Sequence, residues 1–212
     1  PHAQVRQVGS FSGISVYSGI DLYLSPDDHE VVVVSASDPT LRDRILTRVE
    51  GGLLRIGLEG KGFVRWPSGV KLKAYVSFRT LDRIIASGSS DVYVNGDIKA
   101  EKLDINLSGA SDFHGALSVS ELNLEQSGSS DSKINGTATR MKAGLSGASD
   151  LKAYDLSTDY CDIKASGASD VRITVNKELN VHASGASDVN FKGSATMREI
   201  HASGASSVQR KE

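Results

Sequence analysis

The sequence has little cysteine, proline or tryptophan, and its charges nearly cancel. Of 212 residues, one is cysteine, four are proline and one is tryptophan, and the net charge is −2. Because Cys161 has no second cysteine to pair with, a disulfide within the chain is excluded. The balanced charge provides no basic surface for nucleic acid. No apolar run reaches the ~18 residues that a membrane-spanning helix needs.

A five-residue phrase, Ser-Gly-Ala-Ser-Asp or a close variant, recurs through the second half of the chain. Seven copies start 18 to 21 residues apart, and the mean spacing is about 19. They begin at Ser87, Ser108, Ser127, Ser146, Ser166, Ser184 and Ser203. Self-similar units with a period of this size are typical of a solenoid, in which short supersecondary units stack on one another.

The residues on both sides of each phrase alternate between apolar and polar. The position after the Asp is mostly apolar, as in Val92 and Phe113, and the next position can face water, as in Tyr93 and His114. This period of two is the signature of strands. A second apolar column lies five residues before the Ser and consists of Leu103, Leu122, Met141, Cys161 and Leu179. Cys161 is therefore predicted to be a small buried hydrophobe rather than a nucleophile.

The two periods together predict an all-β fold, a single-stranded parallel β-helix. Coils of about 19 residues would stack at ~4.8 Å and enclose one continuous core. The repeated glycine is expected where a corner needs a positive φ or a close backbone approach. We interpret residues 1–212 as one β-helix domain. Residues 81–208 would form the regular coils, and residues 1–80 would form less regular N-terminal coils, because a terminal repeat must cover an open edge.

The N-terminal third carries signals for shorter elements. The capping residue Asp38 and the following Pro39 predict one short helix near residues 39–46. Four consecutive valines from Val31 predict a strand that is buried on both faces. A pair of adjacent glycines predicts a hairpin over residues 49–58.

Several motifs resemble one bacterial family. They are Phe11-x-Gly13-Ile14-x-Val16, Gly19-Ile20-Asp21-Leu22-x-Leu24, Gly51-Gly52-Leu53-x-x-Ile56 and the run of Ser-Gly-(Ala/Ser)-Ser-Asp phrases. Together they are similar to the family called putative auto-transporter adhesin, head GIN domain, which is frequent in Bacteroidetes. The resemblance extends from about Val5 to Val208. It implies an exported right-handed β-helix, often lipid-anchored or periplasmic, with no assigned enzymatic activity.

An aspartate closes six of the seven phrases. These residues would form a column along the solenoid, namely Asp91, Asp112, Asp131, Asp150, Asp170 and Asp188. Stacked carboxylates repel each other by about 1 kcal/mol per pair in a water-like dielectric, so another interaction must offset the repulsion. We interpret the column as a structural corner ladder, in which the carboxylates accept hydrogen bonds from backbone N–H groups. The alternative is a row of calcium ions between the carboxylates.

No nucleophile–base constellation stands out, and the sequence predicts no catalytic residue, no cofactor and no metal site. His182 and His201 occupy equivalent places in adjacent coils, but no third ligand is evident, so we interpret them as surface residues rather than zinc ligands. Phe63 and Trp66 lie in a glycine-flanked loop and are the candidate ligand contacts, because exposed aromatic rings stack on sugars. The interpretation that we favour is nevertheless that they plug the end of the solenoid.

These observations favour a non-enzymatic, exported scaffold or adhesin-like protein of the bacterial cell envelope, in the periplasm or at the cell surface. We expect it to bind an envelope protein or a glycan through the solenoid surface, and a removed N-terminal segment could supply a membrane tether. The alternative is a carbohydrate-active enzyme or glycan-binding module with a cleft near residues 26–69. Charge in this region comes from Arg42, Arg44, Arg48, Arg65 and Asp43, without a recognisable arrangement. The fold alone does not decide between these functions.

Overall fold

The computed structural model describes residues 2–60 and 69–212, and these residues form a β-solenoid of about seven turns with coils about 19 residues apart. The predicted all-β solenoid is therefore confirmed. The strands are β1 (His2–Arg6), β2 (Gly13–Val16), β3 (Ile20–Pro26), β4 (Val31–Ala36), β5 (Ile45–Glu50), β6 (Leu53–Leu58), β7 (Leu72–Phe78), β8 (Arg83–Ala86), β9 (Val92–Leu107), β10 (Phe113–Gln126), β11 (Ser132–Leu145), β12 (Asp150–Ala165), β13 (Asp170–Ala183), β14 (Asp188–Lys192), β15 (Thr196–Ala202) and β16 (Ser207–Arg210). One helix, α1 (Pro39–Asp43), accompanies them. In the two described ranges, no helix is long and apolar enough to cross a membrane.

In the regular coils, each long strand pairs in parallel with the next strand along the chain. β9 pairs with β10, β10 with β11, β11 with β12, and β12 with β13. This register aligns the predicted inward column, and all its members are buried: Leu103, Leu122, Met141, Cys161 and Leu179. Burial raises the pKa of the Cys161 thiol to about 12. The thiol is therefore protonated at neutral pH and packs as a small hydrophobe, as predicted.

The corner phrase brings successive backbones into direct contact. Its glycine has a positive φ, for example 75° at Gly109 and 78° at Gly147. The N–H after each glycine donates to the glycine carbonyl of the preceding corner, as from Ala110 to Gly88 at 2.8 Å. A Cβ at Gly109 would collide with that carbonyl, so both the φ angle and the available space require glycine. The second serine of the phrase is buried at every corner from Ser90 to Ser187.

The N-terminal strands stack in an order that differs from their order in the chain. On the face that follows the corners, the order is β1–β4–β7–β3–β9. On the face that precedes the corners, the order is β5–β6–β2–β8–β9. The β1–β4, β4–β7 and β5–β6 pairs are antiparallel, and α1 packs against β1 and β4. The antiparallel pairs and the helix thus cover the N-terminal end.

The structure confirms two of the N-terminal predictions and corrects the third. The Asp38 side chain caps α1 and accepts the N–H of Thr40 at 2.7 Å. The helix ends at Asp43, before the predicted boundary, because Ile45 already belongs to the first strand of the predicted hairpin, which pairs β5 with β6. The prediction of a strand buried on both faces was wrong for β4. Val31 is 42% exposed, because only one face of β4 packs on the core.

Candidate functional site

Part of the aspartate column is linked by hydrogen bonds between consecutive corners. The backbone N–H of Asp112 donates to Oδ1 of Asp91 at 3.1 Å. The same bond links Asp131 to Asp112 at 3.0 Å and Asp150 to Asp131 at 3.1 Å. Each of these three carboxylates therefore holds the backbone of the following coil. The contribution of these bonds to stability remains a prediction.

A further carboxylate, Asp21, extends the column into the N-terminal region. It follows a shortened form of the corner at residues 18–20, and the backbone N–H of the next residue, Leu22, donates to the carbonyl of Asp91 at 2.7 Å. Partial burial and, next, the charge of Asp91 raise the pKa of Asp21, while Lys73 acts in the opposite direction. The folded environment thus destabilises the ionised form of the Asp21 carboxylate relative to that of an isolated aspartate.

The two equivalent histidines stack on each other at the other side of the corners. The ring centroids of His182 and His201 lie 4.8 Å apart, with an angle of 19° between the planes. Lys164 is the neighbour of His182 in the preceding coil, as the repeat predicts. Among residues 2–60 and 69–212, no group of three or more His, Cys, Asp or Glu side chains is arranged to hold a metal ion.

A row of stacked aromatic rings crosses the outer surface of the sheet that follows the corners. We call Tyr75, Tyr23, Tyr93 and His114 the aromatic ladder. Tyr23 lies between Tyr75 and Tyr93, with centroid distances of 5.0 and 5.2 Å. His114 stacks on Tyr93 at 5.3 Å, with the planes only 6° apart. Because the rings cover each other's faces, they present edges and hydroxyl groups to solvent, and Tyr75 is 42% exposed.

Cationic side chains continue the same row beyond the aromatic ladder. Lys133, Lys152 and Arg172 follow His114 on successive strands, and all three are exposed. In the other direction, the row ends on the edge strand β1 at Val5, which is 58% exposed. One straight row on the surface therefore changes from apolar to aromatic to cationic.

A depression of about 310 Å³ opens where the aromatic ladder meets the cationic row. Its lining includes Tyr93, His114, Gly115, Lys133, Asn135 and Asp155. Ring edges carry partial positive charge, and the amine, amide and carboxylate groups both donate and accept hydrogen bonds, so the depression suits a ligand rich in oxygen atoms.

The Tyr93 hydroxyl remains a hydrogen-bond donor at neutral pH. Burial and, next, the charge of Asp91 raise the pKa of Tyr93 above its ordinary value. Its hydroxyl lies 3.4 Å from Oδ2 of Asp91, at the long end of a hydrogen bond. The phenol is thus neutral and only weakly held by the Asp91 carboxylate.

Sequence reasoning found the outward positions of Tyr93 and His114 but missed the aromatic ladder. Tyr23 and Tyr75 meet only because β7 pairs in register with β3, although β4, α1, β5 and β6 separate the two strands in the chain. A partial signal exists in the shortened corner, because aligning Asp21 with Asp91 places Tyr23 beside Tyr93.

The predicted ligand contacts Phe63 and Trp66 lie in residues 61–68, outside the described residues. In the described rest of the predicted cleft region, two arginines make short ion pairs with close neighbours, whereas Arg44 donates to the backbone carbonyl of Glu59 at 3.3 Å. Arg42 pairs with Asp43 at 2.7 Å, and Arg48 pairs with Glu50 at 2.5 Å.

Three solved structures resemble the chain in fold. A putative adhesin from Bacteroides fragilis has a TM-score of 0.87 and 19% sequence identity, and the match covers 99% of this chain and 96% of that chain. A putative adhesin from Parabacteroides distasonis has a TM-score of 0.79 and 18% identity, over 99% and 96% of the two chains. A putative lipid binding protein from the same species has a TM-score of 0.73 and 19% identity, over 100% and 96%. At these identities, the likeness shows the fold alone.

No protein with a curated function matches the chain. The sequence pattern of the family described as putative auto-transporter adhesin, head GIN domain, matches residues 10–195. This match covers most of the chain and confirms the resemblance that the N-terminal motifs and the repeated corners indicate. The chain therefore belongs to the family of putative auto-transporter adhesins, head GIN domain.

Proposed function

We propose that this protein is an exported, non-enzymatic, adhesin-like protein of the bacterial cell envelope, and that it holds its ligand against the aromatic ladder. Its family, and solved structures of similar fold that are described as putative adhesins, support a binding role. The observation that carries the choice of surface is the aromatic ladder with the depression at its end.

The aromatic ladder offers a ligand surface that is already ordered. Each inner ring is fixed between its neighbours, so binding costs little further side-chain entropy. Tyrosine supplies a large contact area and a hydroxyl group at low entropic cost, which is why it is common in binding surfaces. A flat sheet without this row would have to order its flexible lysine and glutamate side chains at each contact.

The length of the row suits an extended ligand. From Tyr75 to Arg172 it crosses seven neighbouring strands, which corresponds to roughly 30 Å at ~4.8 Å per strand. Aromatic edges and hydroxyls occupy one half, and ammonium and guanidinium groups occupy the other. A glycan chain, with oxygen atoms along its whole length, can contact both halves at once.

Binding of labelled protein to a glycan array, and to solubilised fractions of the cell envelope, tests this function. The test variant is the double substitution Tyr75→Ser and Lys133→Ser, which removes an exposed end of the aromatic ladder and the first cation. The matched control is Tyr160→Ser on a different face, where the ring lies under Arg140 at 4.6 Å. We expect the double variant to bind at least about tenfold more weakly and the control to bind like the parent.

Two results would overturn the proposed surface and role. If the parent protein binds no glycan and no envelope component, the adhesin-like role is wrong. If the double variant and the parent bind equally well, the ligand lies elsewhere. Export is tested separately by antibody labelling and fractionation of native cells, and recovery from the cytosol alone would contradict it.

A further inference from the structure

A single glycine interrupts a row of outward side chains on the face that precedes the corners. In register, this row contains Asn106, Glu125, Gly144, Lys164 and His182. The φ of Gly144 lies outside the left-handed region, so its backbone does not require glycine. The three atoms nearest to a Cβ at this position all belong to the carboxylate of Glu125, which lies over Gly144 and can move because it ends a flexible side chain. Neither the backbone nor the core therefore explains the missing side chain.

Two depressions adjoin Gly144 and the Glu125 carboxylate that covers it, and we call this region the saddle. We define it by Glu125, Lys142, Gly144, Asp162, Lys164 and His182. On one side of Gly144 the depression has a volume of about 340 Å³ and is lined by all six residues. On the other side, a depression of about 330 Å³ shares four of them. Each volume lies at the lower end of the range for small-molecule sites, ~300–1,000 Å³, and can receive one small unit of a ligand.

The polar groups of the saddle are positioned but not neutralised. Nδ2 of Asn180 donates to Oδ1 of Asp162 at 2.7 Å and orients that carboxylate. In the described part of the chain, Glu125, Lys142 and Lys164 make no ion pair. A ligand can therefore contact their charged groups without breaking an ion pair in the described part of the chain.

The mixture of charges selects the chemistry of the ligand. Glu125 and Asp162 oppose Lys142 and Lys164, and Glu199 at the rim adds a third carboxylate. A ligand with a strong charge of either sign would meet like charges in the saddle. A neutral polyhydroxylated ligand avoids this cost, because each hydroxyl group both donates to a carboxylate and accepts from an ammonium group.

We propose that the saddle is a second ligand site of this protein and that it binds one neutral saccharide unit. The site is independent of the aromatic ladder, because it lies on the segments of the strands that precede the corners, whereas the aromatic ladder lies on the segments that follow them. Two sites on different faces of a rigid solenoid allow one molecule to hold two segments of glycan. The second contact then gains from the high effective concentration that the first contact creates.

Titration of the isotope-labelled protein with methyl glycosides of glucose, galactose, mannose and N-acetylglucosamine tests the proposal by NMR. We expect at least one glycoside, at millimolar concentration, to shift the amide signals of Gly144 and Lys164. The test variant is Gly144→Thr, which displaces the Glu125 carboxylate and narrows the saddle with a side chain that strands tolerate well. It should keep the parent melting temperature and lose at least about tenfold in affinity. Asn106→Ala, on the same row but outside the saddle, should bind like the parent.

Lys164→Gln provides a second variant that does not change the backbone, and it should also weaken binding. The proposal is overturned if no glycoside shifts these signals, if the shifts persist in Gly144→Thr, or if only charged probes such as phosphate or acetate produce them. The amide signals of Tyr93 and His114 report on the aromatic ladder in the same titration, so failure of the saddle and failure of the aromatic ladder can be told apart. Shifts at Gly144 without shifts at Tyr93 support the saddle alone, and the reverse supports the aromatic ladder alone.

Discussion

The regular coils and the N-terminal region use the same corner in different surroundings. From β9 to β13 the strands stack in chain order, whereas in the N-terminal region β7 lies between β4 and β3. Gly128 has a φ of 76° and lies against the carbonyl of Gly109. Gly19 has a φ of 69°, but no atom lies within 4 Å of its Cβ position. The repeat therefore supplies close stacking, and the irregular region supplies the covered end of the solenoid and half of the aromatic ladder.

Alanine substitutions at Gly128 and Gly19 should show the largest difference in the free energy of unfolding. Gly128→Ala should destabilise the protein by about 3 to 5 kcal/mol, because the strained φ is combined with a backbone collision. Gly19→Ala should cost only about 1 to 2 kcal/mol, because it suffers the strained φ alone. Chemical denaturation of both variants measures the difference. Equal losses would show that the stacked corners contribute no more than the shortened corner.

The aspartate column predicts the next largest effect, within the regular coils. Asp131→Ala should cost about 2 kcal/mol, because it leaves the N–H of Asp150 without its partner. Asp150→Ala should cost less, since no backbone N–H of the following corner donates to its carboxylate in the described part of the chain. Asp131→Asn should be milder than Asp131→Ala, because asparagine keeps an acceptor and removes a like charge.

Thermal melts with and without a chelator measure these effects and also test the calcium alternative. If the carboxylates serve the backbone, the chelator leaves the melting temperature of the parent unchanged. A drop that added calcium reverses would instead favour a row of calcium ions.

The aromatic ladder crosses the boundary between the two regions and predicts a smaller difference. Tyr23→Leu removes two stacked pairs, whereas Tyr75→Leu removes one, and each pair is worth about 0.5 to 1.5 kcal/mol. Tyr23→Leu should therefore unfold at the lower denaturant concentration. If the two variants are equally stable, the stacking does not join the N-terminal region to the regular coils.

Substitution of Asp21 should change the stability least, and it should stabilise the protein rather than destabilise it. Because the pKa of Asp21 is raised in the folded protein above its ordinary value of 3.8, the folded state binds this proton more tightly than the unfolded state. Stability therefore falls as the pH rises through this window, and the charged carboxylate is a net cost at neutral pH. Asp21→Asn should raise the melting temperature slightly at neutral pH and should give no gain well below pH 3.8. A gain that is independent of pH would contradict this cause.

The repeat determined how much of the molecule could be predicted from its sequence. The inward column through Met141 and Cys161, the positive φ of the corner glycines and the cap at Asp38 all follow from local chemistry and a fixed period. The exposure of Val31 does not, because it depends on which face of β4 meets the core. The stacking of Tyr75 on Tyr23 depends on the insertion of β7 beside β3. No local pattern encodes such a long-range pairing.

The gap at Gly144 shows a different limit of sequence reasoning. The alignment of the repeats already places glycine at an outward position between Glu125 and Lys164. The structural consequence of this glycine depends on the neighbouring row, where Lys142 and Asp162 complete the saddle. A single missing side chain is visible in the sequence, but the depressions that adjoin it depend on the register of several coils.

Hydroxyl-radical footprinting of the side chains, read by mass spectrometry, tests the central claim most directly. The protein is labelled alone and in the presence of a soluble polysaccharide fraction of the cell envelope. A ligand held on the aromatic ladder should reduce oxidation of Tyr75, Tyr93 and His114 and leave Tyr160 unchanged. Equal oxidation of the ladder residues with and without the fraction, or protection confined to Tyr160, would contradict the account.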